Sequence, residues 1–335
     1  MNLTDNIIEL NRDVESFVIQ ASATRPPPFK AKFGDPYAVL QFLHFSDIHN
    51  VPQNWERIVE YMNHYESYLA FALHTGDYCG DVQAHYTDMY ATCTPARRPI
   101  YNCVGNHDTN AMDNPERVRY VTSKERTHSL LFNHTEGWDA EFMPAPTPTA
   151  YFKDFPSSAV RLIVLDQYYD VEAECAWLDE LLADARERSL SVITAMHEPS
   201  DHVNDSFRCA FHTWNDYDSV TGMRHHAFED ALCRHTAQGG IHICNLVGHT
   251  HHDLFGFTEG GILNCAVPCA TNWAGWSDGI RVPGTRTNDC FHVVSIDPNL
   301  SLLKLVRIGD NCDHYLRPKR VLCYNYKTKE LLHCH

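Results

Sequence analysis

Apolar residues fall along this chain in short blocks, and most blocks stop at a carboxylate, an amide or an imidazole. "AVLQFLHF" (38–45) reads as a strand and is followed by Ser46, Asp47, Ile48 and His49. "NWERIVEYMNHYESYL" (54–69) has helical spacing through Trp55, Ile58, Val59, Met62 and Leu69. "AFALHT" (70–75) ends at Gly76-Asp77, and "PIYNCV" (99–104) ends at Gly105-Asn106-His107-Asp108. "VRLIVLDQ" (160–167) is a further strand. "ECAWLDELLADARER" (174–188) is an amphipathic helix through Trp177, Leu181, Leu182 and Ala185. "SVITAMH" (191–197) ends at His197, and "IHICNLV" (241–247) ends at Gly248-His249-Thr250-His251. Strands then follow one another: "DLFGF", "GILNCAV", "CFHVVSID" and "SLLKLVRI". Strand–helix alternation giving way to strands predicts an α/β fold of two stacked sheets flanked by helices.

Outside this pattern lie three stretches. Residues 5–20 have helical spacing through Ile7, Ile8, Val14, Phe17 and Val18, and "RPPPF" (25–29) ends that helix. Residues 1–35 are therefore expected to be an N-terminal helix and Pro-rich arm, packed on a main domain covering 36–335; a partner-binding helix is the other reading. Two irregular stretches, roughly 109–150 and 198–226, are expected as long loops. The second follows directly after His197 and is placed to cover a site.

Composition narrows the function. The chain has 335 residues, 44% of them hydrophobic, which is enough for a sizeable core. No window has eighteen uncharged apolar residues, so no membrane span is expected. The first residues lack a basic stretch followed by an apolar one, so a signal peptide is not expected and the cytoplasm is the expected compartment. Thirteen cysteines without any CxxC pair are read as mostly buried, reduced thiols rather than a zinc ribbon. A net charge of -16 opposes binding to an extended nucleic acid but not to a small anion met by a local cation. With 22 histidines in the chain, a lone histidine proves little.

The chemistry lies in the ordered set of strand ends. Asp47, His49, Asp77, Asn106, His107, Asp108, His197, His249 and His251 are all metal-ligand residue types. In α/β sheets ligands bind beyond the carboxyl ends of strands, so these tips can converge. Oxygen and nitrogen donors in this mixture suit Mn, Fe or Zn. They are too many for one tetrahedral ion and suit a pair bridged by a carboxylate, with the ions roughly 3.5–4 Å apart. In an extended segment residues i and i+2 point the same way, so Asp47 and His49 are expected to grip one ion with Ile48 turned to the core. Gly76, Gly105 and Gly248 are expected to permit sharp turns before the ligands.

The series Asp47-x-His49, Gly76-Asp77, Gly105-Asn106-His107-Asp108, His197 and Gly248-His249-x-His251 resembles the calcineurin-like metallophosphoesterase superfamily. Every block is present in family order. The resemblance implies a four-layer α/β/β/α sandwich of two mixed sheets with the site at its edge. It implies that Asp47, His49 and His251 hold a first metal ion, that Asn106, His197 and His249 hold a second, and that Asp77 bridges them. His107 would donate a proton to the leaving oxygen, oriented by Asp108. A water between the ions would lose a proton near neutral pH and attack phosphorus in line.

Neighbouring residues have simpler readings. His44 and His74 are expected to support the site or belong to the core. Asp108 could instead bind a backbone amide. Asn50 suits a turn as well as the site, and His252 reads as an exposed neighbour. Arg224, His225 and His226 read as a solvated loop end. Cys79 reads as a buried thiol. "TNWAGWSDG" (271–279) could stack an aromatic group of a substrate or pack on another loop; both readings stay open.

The expected activity is hydrolysis of a small, possibly nucleotide-like, phosphodiester. A phosphomonoesterase ranks second and a nuclease third, since the fold alone does not decide. A metal-dependent binding module with little catalysis is the reading from another class, and His107 argues against it. The expected partner is a small phosphorylated substrate; oligomeric state stays open.

Overall fold

The computed structural model describes residues 36–78, 95–109, 124–131, 145–199, 225–251, 254–270, 289–309 and 321–334. The first 35 residues and most of the two long irregular stretches lie outside these, as do Cys79, Arg224, His252 and 271–279. No helix among the described residues is long and apolar enough to cross a membrane.

Among the described residues, thirteen strands form two mixed sheets. In chain order they are β1 (Leu40–Phe45), β2 (Ala72–His74), β3 (Ile100–Asn102), β4 (Tyr151–Phe155), β5 (Val160–Val164), β6 (Ser191–Ala195), β7 (His242–Val247), β8 (Leu254–Phe257), β9 (Leu263–Ala266), β10 (Phe291–Asp297), β11 (Leu302–Ile308), β12 (Val321–Asn325) and β13 (Glu330–Cys334). The first sheet has the order β13-β12-β11-β10-β1-β2-β3 and the second β4-β5-β6-β7-β9-β8. β1, β2 and β3 are parallel to one another, as are β5, β6, β7 and β9. Parallel pairing matters for function, because it brings successive carboxyl ends to one edge of each sheet.

Helix α1 (Pro52–His64) lies on the outer face of the first sheet. Its Pro52 sits at the helix start, where a missing N–H costs nothing. Trp55, Ile58, Val59 and Met62 recur at helical spacing and are buried. Trp55 meets Phe45 edge-on at 5.5 Å, and Tyr61 meets Phe291 at 4.9 Å. Burial of such a side chain contributes about 1.5–3 kcal/mol. The expected helix over 54–69 stops earlier, at His64. A turn over Tyr65–Tyr68 intervenes, so the buried Leu69 belongs to the approach to β2.

Between the sheets, Phe42 stacks on Phe71 at 4.3 Å, and Phe71 on Phe155 of β4 at 5.0 Å. Phe257 meets Tyr324 at 5.5 Å across the same seam. A second helix, α2, covers Lys124–Leu131, within the stretch expected to be irregular. On the outer face of the second sheet, α3 (Val171–Glu187) and α4 (His225–Ala237) bury Trp177, Leu178, Leu181, Phe228 and Leu232 against Ile163, Val192 and Val247. The layers are thus α/β/β/α, as the resemblance implied.

Other elements also depart from the sequence reading. His225 and His226 open α4, a helix the sequence reading did not anticipate. β4, β12 and β13 were also not anticipated. Of the cysteines among the described residues, Cys103, Cys175, Cys233, Cys244, Cys265, Cys269, Cys290 and Cys323 are free thiols, five of them buried.

Candidate metal centre

Each ligand-type residue stands just beyond a strand. The loop after β1 runs along the loop after β2 and prolongs the sheet. Asp47 N donates to Gly76 O, His49 N to Asp77 O and Asn50 N to Tyr78 O. Gly248 N likewise donates to His197 O, tying the tips of β6 and β7.

The local geometry differs from the extended arrangement expected. Asp47, His49, Asp77, His249 and His251 all have left-handed backbone, with φ between 46 and 62°. Left-handed kinks, not a two-residue alternation, turn Asp47 and His49 to the same side. Ile48 between them is fully buried, as expected. Such conformations cost about 1–3 kcal/mol each where the residue is not glycine, and they gather at functional sites. The glycines also divide in role. Gly76 has φ +99° and serves the turn, and a Cβ there would also lie 2.5 Å from His197 Nδ1. Gly105 and Gly248 serve close approach alone. A Cβ on Gly105 would overlap Asp77 Oδ1, and one on Gly248 would overlap Ser46 Oγ.

The side chains converge in groups with ligand spacing. In the first, Asp47 Oδ1 lies 3.2 Å from His251 Nε2 and 3.7 Å from His49 Nε2. The two imidazole nitrogens are 3.3 Å apart. In the second, Asn106 Oδ1 lies 2.9 Å from His197 Nε2 and 3.1 Å from His249 Nδ1. Asp77 Oδ2 joins both, 3.3 Å from His197 Nε2 and 3.8 Å from His49 Nε2. Neighbouring ligands around one ion at about 2.1 Å are separated by about 3 Å, which is the spacing seen. His107 stands at the rim, its Nε2 3.9 Å from Asp77 Oδ2 and its ring perpendicular to that of His49. It meets the ligand spacing with His49 and Asp77 as well.

Hydrogen bonds aim the free atoms inward. Asp77 Oδ1 accepts from His107 N, which leaves Oδ2 to be shared. Asp47 Oδ2 accepts from His249 N, and its buried Oδ1 has no hydrogen bond. His197 Nδ1 donates to Thr75 O at 2.6 Å, which turns Nε2 toward Asn106 Oδ1 and Asp77 Oδ2. The buried Asp47 Oδ1 and His249 Nε2 have no hydrogen-bond partner, and a cation would satisfy both. These donors therefore fit a pair of divalent ions.

The electrostatics agree. Burial favours a neutral Asp77, but the charges of His197 and His107 outweigh it and hold its pKa well below the carboxylate range. Burial is likewise outweighed at Asp47, chiefly by His251. Burial also opposes a charge on His197, yet Asp77 and Asp47 keep its pKa at about 10. His251 is raised, against burial, by Cys269 and Asp47. Burial lowers His49 to about 4 and lowers His249. Two ionised carboxylates thus draw positive charge into a buried place.

Asp108 has a task the resemblance did not imply. Its carboxylate accepts from the amides of Gly105, Asp77 and Tyr78 at 2.7, 2.8 and 2.9 Å. It welds the β2 and β3 tips together. His44 bonds Thr75 Oγ1 at 3.1 Å, and Thr75 O in turn holds His197, so His44 belongs to the supporting core. Cys269, paired with Ser46 by an isolated bridge beyond β9 and adjoining His251, was missed, because a single cysteine after an apolar block gives no signal.

A model of the calcineurin-like phosphoesterase family matches residues 40–253, more than half of the chain. The chain belongs to that family. It is a metal-dependent phosphoesterase by family, with His and Asp groups placed to bind two ions. Its fold is similar to that of a dimetal phosphatase from Danio rerio, with a TM-score of 0.53 and 12% identity over 86% of this chain and 99% of that one. GAP50, the anchor in the inner membrane complex of Plasmodium, gives 0.44 and 11% over 89% and 88%. The protein TT1561 of Thermus thermophilus gives 0.40 and 10% over 82% and 99%. No curated protein sequence matches significantly.

Proposed function

We propose that this phosphoesterase hydrolyses a small phosphodiester, with two ions drawn from Mn, Fe or Zn. The observation that carries the reading is the sharing of Asp77 Oδ2 between two ligand groups, with His107 beside them at the rim. When bound, the ion pair would supply Lewis-acid stabilisation and activation of a water. Asp47, His49 and His251 would hold one ion, and Asn106, His197 and His249 the other.

The chain's own contribution is placement and proton transfer. His107 N bonds the bridging carboxylate, so the imidazole is fixed relative to both ions. Its side chain is 21% exposed, enough to meet a leaving oxygen and exchange its proton with solvent. Such a donor contributes about 10²–10⁴-fold. The net charge of -16 supports a small substrate over a polynucleotide.

The test is hydrolysis of bis-p-nitrophenyl phosphate against p-nitrophenyl phosphate after chelation and reloading with Mn, Fe, Zn or Mg. Metal-dependent diester cleavage that collapses in His107→Ala, with two ions still bound, supports the proposal. Faster monoester cleavage makes the protein a phosphatase instead. Two bound ions with no turnover on either ester would favour a binding module.

A further inference from the structure

The outer faces of the two sheets are covered unequally. The second sheet carries α3 and α4. On the first, α1 packs Trp55 against Phe45 of β1 and Tyr61 against Phe291 of β10. Paired residues share a face of a sheet, so the register carries this outer face onward strand by strand. On β10 the outward Phe291, Val293 and Ser295 are buried. On β11 Val306 and Ile308 are still buried, but Leu302 and Lys304 are partly exposed. On β12 the outward Val321, Cys323 and Asn325 are all partly exposed. The inward Leu303, Leu305, Leu322 and Tyr324 are fully buried, so the exposure belongs to the outer face alone. β13 ends the sheet, with Leu331 and Leu332 36% and 48% exposed.

This half-covered face adjoins the point where residues 1–35 join the described fold. Tyr37 N donates to Asn299 Oδ1 at 3.2 Å, and Asn299 Nδ2 donates to Tyr37 O at 2.9 Å. Asn299 lies in the turn from β10 to β11, beside the Leu302 end of β11. Residues 5–20 have an apolar stripe at helical spacing, Ile7, Leu10, Val14 and Phe17, with Asp13 and Glu15 at its borders. A helix of that length is about 24 Å long, and a strand of seven residues such as β11 is about 23 Å long. Residues 21–35 can span about 45–50 Å when extended, so reach is not limiting. Charge matches as well. Lys304 on the face and Lys327 and Lys329 in the turn before β13 outnumber Asp297 and Glu330, in a chain of net charge -16. Residues 5–20 bring Asp5, Glu9, Asp13 and Glu15 against Arg12.

We infer that residues 5–20 form the missing outer helix of the first sheet, lying over β11 and β12 toward the β13 edge. The apolar stripe covers Leu302, Val321 and Cys323, and the acids of the helix meet Lys304, Lys327 and Lys329. The helix removes apolar surface from water and shields a sheet edge that would otherwise be free to pair with another chain.

The test compares two native thiols of the full chain, Cys323 on this face and Cys175 on α3 of the other sheet, both half-buried. Both are alkylated under native conditions with N-ethylmaleimide and followed by peptide mass mapping. Val14→Asp and Phe17→Asp should each speed labelling of Cys323 by about tenfold or more and leave Cys175 within about twofold. A chain beginning at Arg25 should label as these variants do. Carbodiimide coupling of the unaltered chain gives an independent reading, and should join Lys304, Lys327 or Lys329 to an acid within residues 5–20. Equal Cys323 rates in wild type and variants overturn the proposal, as does coupling of residues 5–20 to other lysines alone. Protection of Cys323 that grows with protein concentration assigns the cover to a second copy and overturns it too. If Cys175 accelerates together with Cys323, the variant has unfolded and the coupling result decides.

Discussion

The two ligand groups are unequal. The imidazoles of His49 and His251 are each 14% exposed and lie at an open rim. Asn106, His197 and Asp77 are almost wholly buried, and each is tied to a main-chain group or to another ligand. A buried group of fixed dipoles binds an ion with little rearrangement, but a missing member leaves the others unpaired in low dielectric. An open group loses less when altered, because water replaces what is removed. The difference teaches that similar donor sets can be rigid or adaptable according to what surrounds them.

The sharpest way to break this comparison is Asp77→Ala, since Asp77 serves both groups. Metal analysis should show loss of both ions, and turnover should fall to background. Retention of one ion would mean that the groups do not share Oδ2.

His107→Ala should lower turnover by about 10²–10⁴-fold while metal content stays at two. A fall in metal content would instead make His107 a ligand, as its spacing from His49 and Asp77 permits.

The third test sets one group against the other. His249→Ala should remove the second ion and cost about 1–3 kcal/mol in chelator, because it empties a buried place beside Asn106. His49→Ala should weaken the first ion but change stability in chelator by less than about 0.5 kcal/mol. Equal losses in urea unfolding would erase the distinction between buried and open.

The last test concerns acid. His74 is fully buried among Phe45, Trp55 and Tyr78, and neither ring nitrogen has a hydrogen bond. Burial lowers its pKa from 6.5 to about 3. The folded state thus binds fewer protons than the unfolded one between these values, and stability falls as pH drops through that window. The slope is at most about 1.4 kcal/mol per pH unit. His74→Phe should flatten it, as read by urea unfolding in chelator at pH 7 and pH 5; an unchanged slope would assign the acid sensitivity to other groups.

Much of this was legible in the sequence because the ligands interrupt apolar strands. Asp47, Asp77 and His197 stand out where a buried block ends, and their order along the chain identified the family. What could not be read was geometry that depends on distant partners. The left-handed backbone at Asp47 and His49 follows from pairing with the loop after β2. Gly105 and Gly248 looked like turn residues, but their bareness answers to Asp77 and Ser46 in other segments. β13 escaped because an edge strand exposed on both faces shows no alternation. The bonds from the Gln167 side-chain amide to the main chain of Glu198 join residues 31 positions apart, and neither end carries a motif.

Both ligand groups draw on both sheets. Asp47 and His49 come from the first sheet and His251 from the second; Asp77 and Asn106 come from the first, His197 and His249 from the second. Elsewhere the seam is closed chiefly by aromatic and aliphatic contacts, which are forgiving of small slips, though the Tyr151 hydroxyl of β4 also bonds the main chain of Asn102 in β3. At the edge that carries the ligands many directional bonds gather, in the manner of rivets through two plates. Removing the ions should therefore loosen the joint between the plates as well as the chemistry. A descendant that gave up hydrolysis would still need these histidines, or a new apolar plug, to keep its two halves aligned.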